Sequence, residues 1–268
     1  MKGGYKAILL EKEDGVATIV LNQPEKLNLM TDQMFRELLD AFGQIANDER
    51  VRVVVLTAAG RIFCGGVDLR EHFLEPVEKA KKGELNLSLD QSFSAVGVPA
   101  ILNLKRPLIA AINGAAVGLG FTMCLPFDIR IASENAKIVL PFLGVGIAPE
   151  FGSTYFLPRL VGISKSLELI YSGETLNAEQ AKEIGLVNKV VPRDKLREAA
   201  LGLARRIVAA PPIALRLARE SIYQGAYSDL QTALRTEHFA YNVCRQTEDH
   251  EEAVRAFLEK RTPVFKGK

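Results

Sequence analysis

Residues 107–127, PLIAAINGAAVGLGFTMCLPF, run for 21 positions without a charged side chain. A stretch of about 20 apolar residues is long enough to cross a bilayer as a helix. Its punctuation argues otherwise. Asn113-Gly114, the glycines at 118 and 120, and a proline near each end divide it into shorter pieces. The reading is a buried core segment: a strand over LIAAI at 108–112, an Asn-Gly turn, and a helix over 115–125.

The surrounding pattern is mixed. VATIVL at 16–21, VRVVVLT at 51–57 and DIRIA at 128–132 read as strands. Thr31 precedes DQMFRELLDAFGQIA, where Met34, Leu38, Phe42 and Ile45 recur at helical spacing. From about residue 177 the chain turns into successive amphipathic helices, punctuated by Pro192, Pro211-Pro212, Ser228 and Thr247. The expected organisation is an α/β core over residues 1–195, followed by a helical region over 196–268 that caps the core or mediates oligomerisation.

Composition narrows the function. With 268 residues, 48% of them hydrophobic, the chain supports a sizeable core. A net charge of +2 gives no global attraction to nucleic acid or to a membrane. Cys64, Cys124 and Cys244 form no CxxC pair, and the start MKGGYKAILLEKEDG has no secretory pattern, so a reducing, cytoplasmic setting is expected. The ending VFKGK is not a peroxisomal address. His72, His238 and His250 lack metal-ligand spacing, and no metal site is expected. There is no GxSxG elbow and no phosphate-binding GxxxxGK[ST] loop. Gly118-Leu119-Gly120 begins like a dinucleotide fingerprint, but Met123 stands where the third glycine belongs.

Three stretches remain that could carry chemistry. RIFCGGVDLREHF at 61–73 fits a glycine turn into a helix, with Asp68 and Glu71 spaced as a capping box. It fits equally a turn whose backbone N–H groups, notably that of Val67, are aimed at a substrate oxygen. NGAAVGLGF at 113–121 has the same two readings: small residues for tight packing, or an accessible N–H at Leu119. Glu150 is the sole charged residue from Ile138 to Pro158. After Pro149 it suits the first turn of a helix, where an acid favours the dipole. In an apolar pocket it would instead be a carboxylate with a raised pKa, able to take and return a proton.

Taken together, VATIVLNQPEKLN (16–28), RIFCGGVDL (61–69), KRPLIAAINGAAVGLGF (105–121), FDIRIASENAKI (127–138), LGVGIAPEFGSTYFLPRLVG (143–162) and SGETLNAEQAKEIGLVNKVV (172–191) strongly resemble the crotonase superfamily, the enoyl-CoA hydratase/isomerase group. The resemblance implies an α/β crotonase-like spiral of ββα repeats with a C-terminal helical trimerisation region. It implies a homotrimer, or a hexamer made as a dimer of trimers, acting on an acyl-CoA thioester. CoA is then part of the substrate, and no separate cofactor is needed. Family oxyanion donors match Val67 and Leu119. CoA contacts match Lys26, Leu27 and Asn28, and Cys64, Gly65, Gly66, Val67 and Asp68. Phe265 and Lys266 match a tail that reaches a neighbouring subunit's nucleotide. Phe73, Leu74 and Phe142 fit the lining of an acyl tunnel and core packing equally well.

The subgroup follows from the acids. Hydratases of this family carry two glutamates, and the matching positions here hold Thr122 and Phe142. Glu150 lies instead in a P-E-x-G-S-x-Y-x-x-P pattern that resembles Δ3,Δ2-enoyl-CoA isomerases, whose single glutamate occupies that point. The resemblance therefore implies catalysis by Glu150, Val67 and Leu119: a C3-to-C2 double-bond shift with one glutamate shuttling the proton. The alternatives are a divergent hydratase, an isomerase of ring-containing acyl-CoAs, or a non-catalytic acyl-CoA-binding scaffold.

Overall fold

The computed structural model describes residues 4–84 and 92–268. Its strands are β1 (Ile8–Glu13), β2 (Val16–Leu21), β3 (Val53–Ala58), β4 (Leu108–Ile112), β5 (Ala116–Val117), β6 (Ile129–Ser133), β7 (Lys137–Val139), β8 (Leu176–Asn177) and β9 (Lys189–Val191). The helices are α1 (Asp32–Ala46), α2 (Glu75–Lys81), α3 (Phe93–Leu102), α4 (Leu119–Thr122), α5 (Ser153–Val161), α6 (Ile163–Ser172), α7 (Ala178–Glu183), α8 (Leu196–Val208), α9 (Pro212–Ala226), α10 (Leu230–Arg245) and α11 (Glu248–Leu258).

One sheet runs β1-β2-β3-β4-β6-β9, parallel except for the antiparallel edge strand β1. Parallel strands are covered on both faces, and the period of two in β3 shows how. Val54 and Leu56 belong to a core shared with Met34, Leu38, Phe42 and Ile45 of α1. Val53 and Val55 join Ile109, Ala111 and Ile131 in a second core that Leu196, Ala200 and Ala204 of α8 close from the other side. Thr31 caps α1 by accepting the N–H of Met34.

A smaller sheet, β5-β7-β8, forms the next layer. Its pairing corrects the expectation of a long helix over 115–125. Residues 116–117 are drawn into a strand beside β7, so the helix is confined to Leu119–Thr122. At the far end of the sheet, Asp128 ties α9 down. Its carboxylate accepts the Leu108 N–H, both contacts of the Arg219 guanidinium, and the Tyr223 hydroxyl.

Candidate active site

Ligands of open parallel sheets bind beyond the carboxyl ends of the strands. Here β3 and β4 each run out into a glycine turn, and the main chain lashes the two turns together. Phe63 and Cys64 donate to the Ala115 carbonyl at 3.0 and 3.1 Å, and Val117 donates back to the Cys64 carbonyl at 3.0 Å. Gly66 takes φ +97°, a conformation side-chain-bearing residues rarely adopt. Gly120 packs so closely that a Cβ there would meet the Cys64 carbonyl oxygen at 2.4 Å.

Each turn delivers one free amide. Among the described residues, no acceptor takes the N–H of Val67 or of Leu119. Both residues line the same cavity of about 420 Å³, together with His72, Phe73, Phe93, Phe142 and Glu150. An unsatisfied N–H is costly inside a protein unless water or a ligand completes it. Two at one cavity wall form a ready pair of donors for a developing negative charge.

Glu150 reaches the cavity from the loop before α5. Phe151 and Gly152 both have positive φ, +55° and +72°, and this sharp bend turns the Phe151 ring into the core. The helix begins only at Ser153, whose N–H is accepted by the Glu150 carbonyl at 3.1 Å. Of the two readings of Glu150, the first-turn placement is not found: the residue precedes the helix and its carboxylate faces the cavity. Its Oε1 accepts from Thr122 Oγ1 and its Oε2 from Ser94 Oγ, each at 3.2 Å. Burial pushes its pKa up to about 7, while the two hydroxyl bonds pull the other way. It is the one carboxylate lining the cavity among the described residues.

Other expected residues fall in different places. Lys26 and Leu27 are exposed on a turn whose Leu27 carbonyl accepts the Gly65 N–H at 3.0 Å. Asn28 has its side chain turned inward. It is fully buried, accepting the Gln23 N–H and donating to the Ala59 and Ile62 carbonyls, and so fixes the glycine turn from behind. Cys64 is likewise turned into the core, its thiol pushed up to about 12 by burial. Both residues are fully buried, and neither lines the cavity. Asp68 spends one carboxylate oxygen on the N–H groups of Arg70 and Glu71, capping the π-helical turn Arg70–Leu74 that leads into α2. The reciprocal bond of a full capping box is absent among the described residues.

Phe73 and Phe142 line the cavity, whereas Leu74 does not and is exposed. Phe265 and Lys266 lie apart from it: the Phe265 carbonyl meets Arg52, and the Lys266 N–H meets Asp249. Two cavity residues carried no sequence signal of their role. Ser94 stands 56 positions from the carboxylate it binds. His72, edge-on to Phe73 and tilted against Phe93, showed only that it lacks a metal-type partner.

The wider likeness agrees with this layout. A family model described as enoyl-CoA hydratase/isomerase matches residues 11–268. The chain belongs to the crotonase superfamily. It is similar to the 1,2-epoxyphenylacetyl-CoA isomerase of Escherichia coli (strain K12), 37% identical over 97% of this chain and 98% of that one. It is similar also to the short-chain-enoyl-CoA hydratase of Clostridium acetobutylicum, 38% identical over 95% of each. Among solved crotonase-superfamily structures, an enoyl-CoA hydratase from Bacillus anthracis superposes with a TM-score of 0.89 at 37% identity, covering 98% of this chain and 100% of that one. A putative enoyl-CoA hydratase/isomerase from Mycobacterium abscessus reaches 0.91 at 35% identity, with the same coverage. The fold is thus the crotonase spiral, and the chain is an enzyme of a family that acts on acyl-CoA thioesters.

Proposed function

We propose that this enzyme moves the double bond of an enoyl-CoA from C3–C4 to C2–C3. The observation that carries the reading is a single carboxylate, Glu150, in one cavity with the free N–H groups of Val67 and Leu119. The thioester oxygen sits between those two donors. Glu150 takes a proton from C2, and the electron pair left behind spreads into a dienolate whose charge gathers on that oxygen. Each donor contributes about 3–4 kcal/mol of stabilisation there. The carboxyl group then returns the proton to C4, leaving the double bond at C2–C3. Nothing is added to the substrate, so one acid suffices, and a group titrating near neutrality suits both halves of the transfer. Hydration needs a second group to activate water. Thr122 and Phe142 supply a hydroxyl and a phenyl ring at the positions where the resemblance places the hydratases' acids.

The CoA moiety runs past the Lys26-Leu27 turn and the main chain of residues 64–68, while Phe265 and Lys266 serve a neighbouring subunit in a trimer or hexamer. A second reading keeps the same base and donors but takes a ring-containing acyl thioester. The rings of His72, Phe73 and Phe93 on the cavity wall favour it.

The test supplies a trans-3-enoyl-CoA without coupling enzymes and follows conjugated enoyl-thioester absorbance and product mass. Rising absorbance at unchanged mass is expected. Glu150→Gln should lower turnover by about 10²–10⁴-fold with CoA binding retained. Wild-type turnover in that variant would remove Glu150 from the base role. A mass gain of one water would make the enzyme a hydratase.

A further inference from the structure

Glu150 is gripped by two hydroxyls from separate elements. Thr122, the last residue of α4, donates to Oε1, and Ser94, in the first turn of α3, donates to Oε2, each at 3.2 Å. Both hydroxyls are themselves held. Ser94 Oγ accepts the Phe151 N–H at 2.9 Å, so its own proton is left for the carboxylate. Thr122 is fully buried and has a second acceptor within 3.5 Å, the Leu119 carbonyl oxygen.

We propose that Thr122 and Ser94 are positioning residues that fix the plane of the Glu150 carboxylate and leave one lone pair on each oxygen open to the cavity. This rests on Glu150 being the base. An ionised carboxylate offers about four lone-pair directions, and the two hydroxyls occupy one on each oxygen. Taking a proton at one substrate carbon and returning it two carbons away demands a carboxylate that does not rotate in between. One donor per oxygen, from two different helices, blocks that rotation. When Glu150 becomes protonated, its pull on the hydroxyls weakens, and Thr122 has the Leu119 carbonyl to turn to. The Thr122 hydroxyl therefore has an acceptor at either stage. The position that gives hydratases an additional acid thus carries, in this chain, a hydroxyl that serves the remaining one.

The hydroxyls also bear on titration, because hydrogen bonds to the ionised form favour it against the burial that disfavours it. Among the described residues, groups facing Glu150 are few. α3 and its cap present Ser94 and Ser92, α4 presents Thr122, and the segment 141–148 lines the cavity with Pro141, Phe142, Val145, Ile147 and Ala148. The π-helical turn presents His72, whose pKa is lowered by burial against the opposing pull of Asp32 and Glu71. Burial thus disfavours the charged form of His72, and a His72→Gln background removes its signal altogether.

The experiment reads the Glu150 carboxyl band by infrared difference spectroscopy against Glu150→Gln, in ligand-free enzyme across pH. It pairs this with kcat/KM profiles for Thr122→Val, Thr122→Ser and Ser94→Ala. Loss of either hydroxyl should raise the carboxyl midpoint by about half a unit or more. The acid limb of kcat/KM should follow, and kcat should fall about tenfold with KM little changed. Thr122→Ser should restore both readouts. A midpoint that stays in place in Thr122→Val and Ser94→Ala, with turnover lost equally at every pH, would overturn the proposal. If Thr122→Val does not fold, Ser94→Ala and Thr122→Ser decide it. The two readings fail separately: an active Glu150→Gln sinks the base, whereas the infrared midpoint reports the grip whatever reaction the enzyme runs.

Discussion

A carboxylate in an apolar cavity weighs on the fold as well as on the chemistry. Glu150 titrates near 7 in the folded enzyme, against an ordinary value of 4.5. Between those two values the folded chain holds a proton that the unfolded chain has released. Stability therefore falls as pH rises through that window and is level above it. Glu150→Gln should accordingly be more stable than the wild type at pH 8, by on the order of 2–3 kcal/mol, with the gap closing by about pH 4. Urea denaturation at the two pH values measures it. An equal gap at both would mean that the carboxyl titrates at its ordinary value. At this scale the sequence shows half of the site. A lone acid in an apolar run is visible by eye, as are the glycines before Val67 and Leu119. The partners of Glu150 are not, since Thr122 and Ser94 lie 28 and 56 positions away and no local spacing brings them near.

Helices and strands were legible where their own residues decide them. α1 combines a Thr31 cap with an apolar stripe, and α8 to α11 all form where amphipathic spacing places them. The sequence misleads where a neighbour decides. β5 exists because β7 lies beside it, and α5 starts late because Phe151 and Gly152 turn the chain first. The attachment of α9 is of this second kind. Asp128, at the entry to β6, holds the Arg219 guanidinium, the Tyr223 hydroxyl and the Leu108 N–H at once. The Arg219–Asp128 pair is largely buried, with 12% and 19% of the side chains exposed. Removing one partner of such a pair strands the other charge away from water. Asp128→Ala should cost about 3–5 kcal/mol and expose α9 to trypsin before the rest of the chain unfolds. A loss within 0.5 kcal/mol, the range of an ordinary surface change, would show that α9 is anchored elsewhere.

For the molecule as a whole, the chain alone leaves its C-terminal helices uncovered. α10 spans Leu230–Arg245 without one buried residue. Leu230, Phe257 and Leu258 are 75%, 83% and 74% exposed, on helices that follow one another in the chain. A single exposed leucine is ordinary, but α10 packs on α9 and still leaves Leu234, Phe239 and Tyr241 exposed. Further copies of the chain are the covering partner that the trimer reading requires, and that reading also gives Phe265 and Lys266 a ligand to meet. Sedimentation should then yield a mass three or six times that of one chain. The double substitution Phe257→Asp with Leu258→Asp places two charges on the apolar face and should shift the mass toward the monomer. If the tail serves a neighbour's CoA, the same variant should raise KM for the thioester far more than it lowers kcat. Wild-type enzyme sedimenting as a monomer at micromolar concentration would refute the assembly. A variant that dissociates with KM unchanged would keep the assembly and remove the tail from CoA binding.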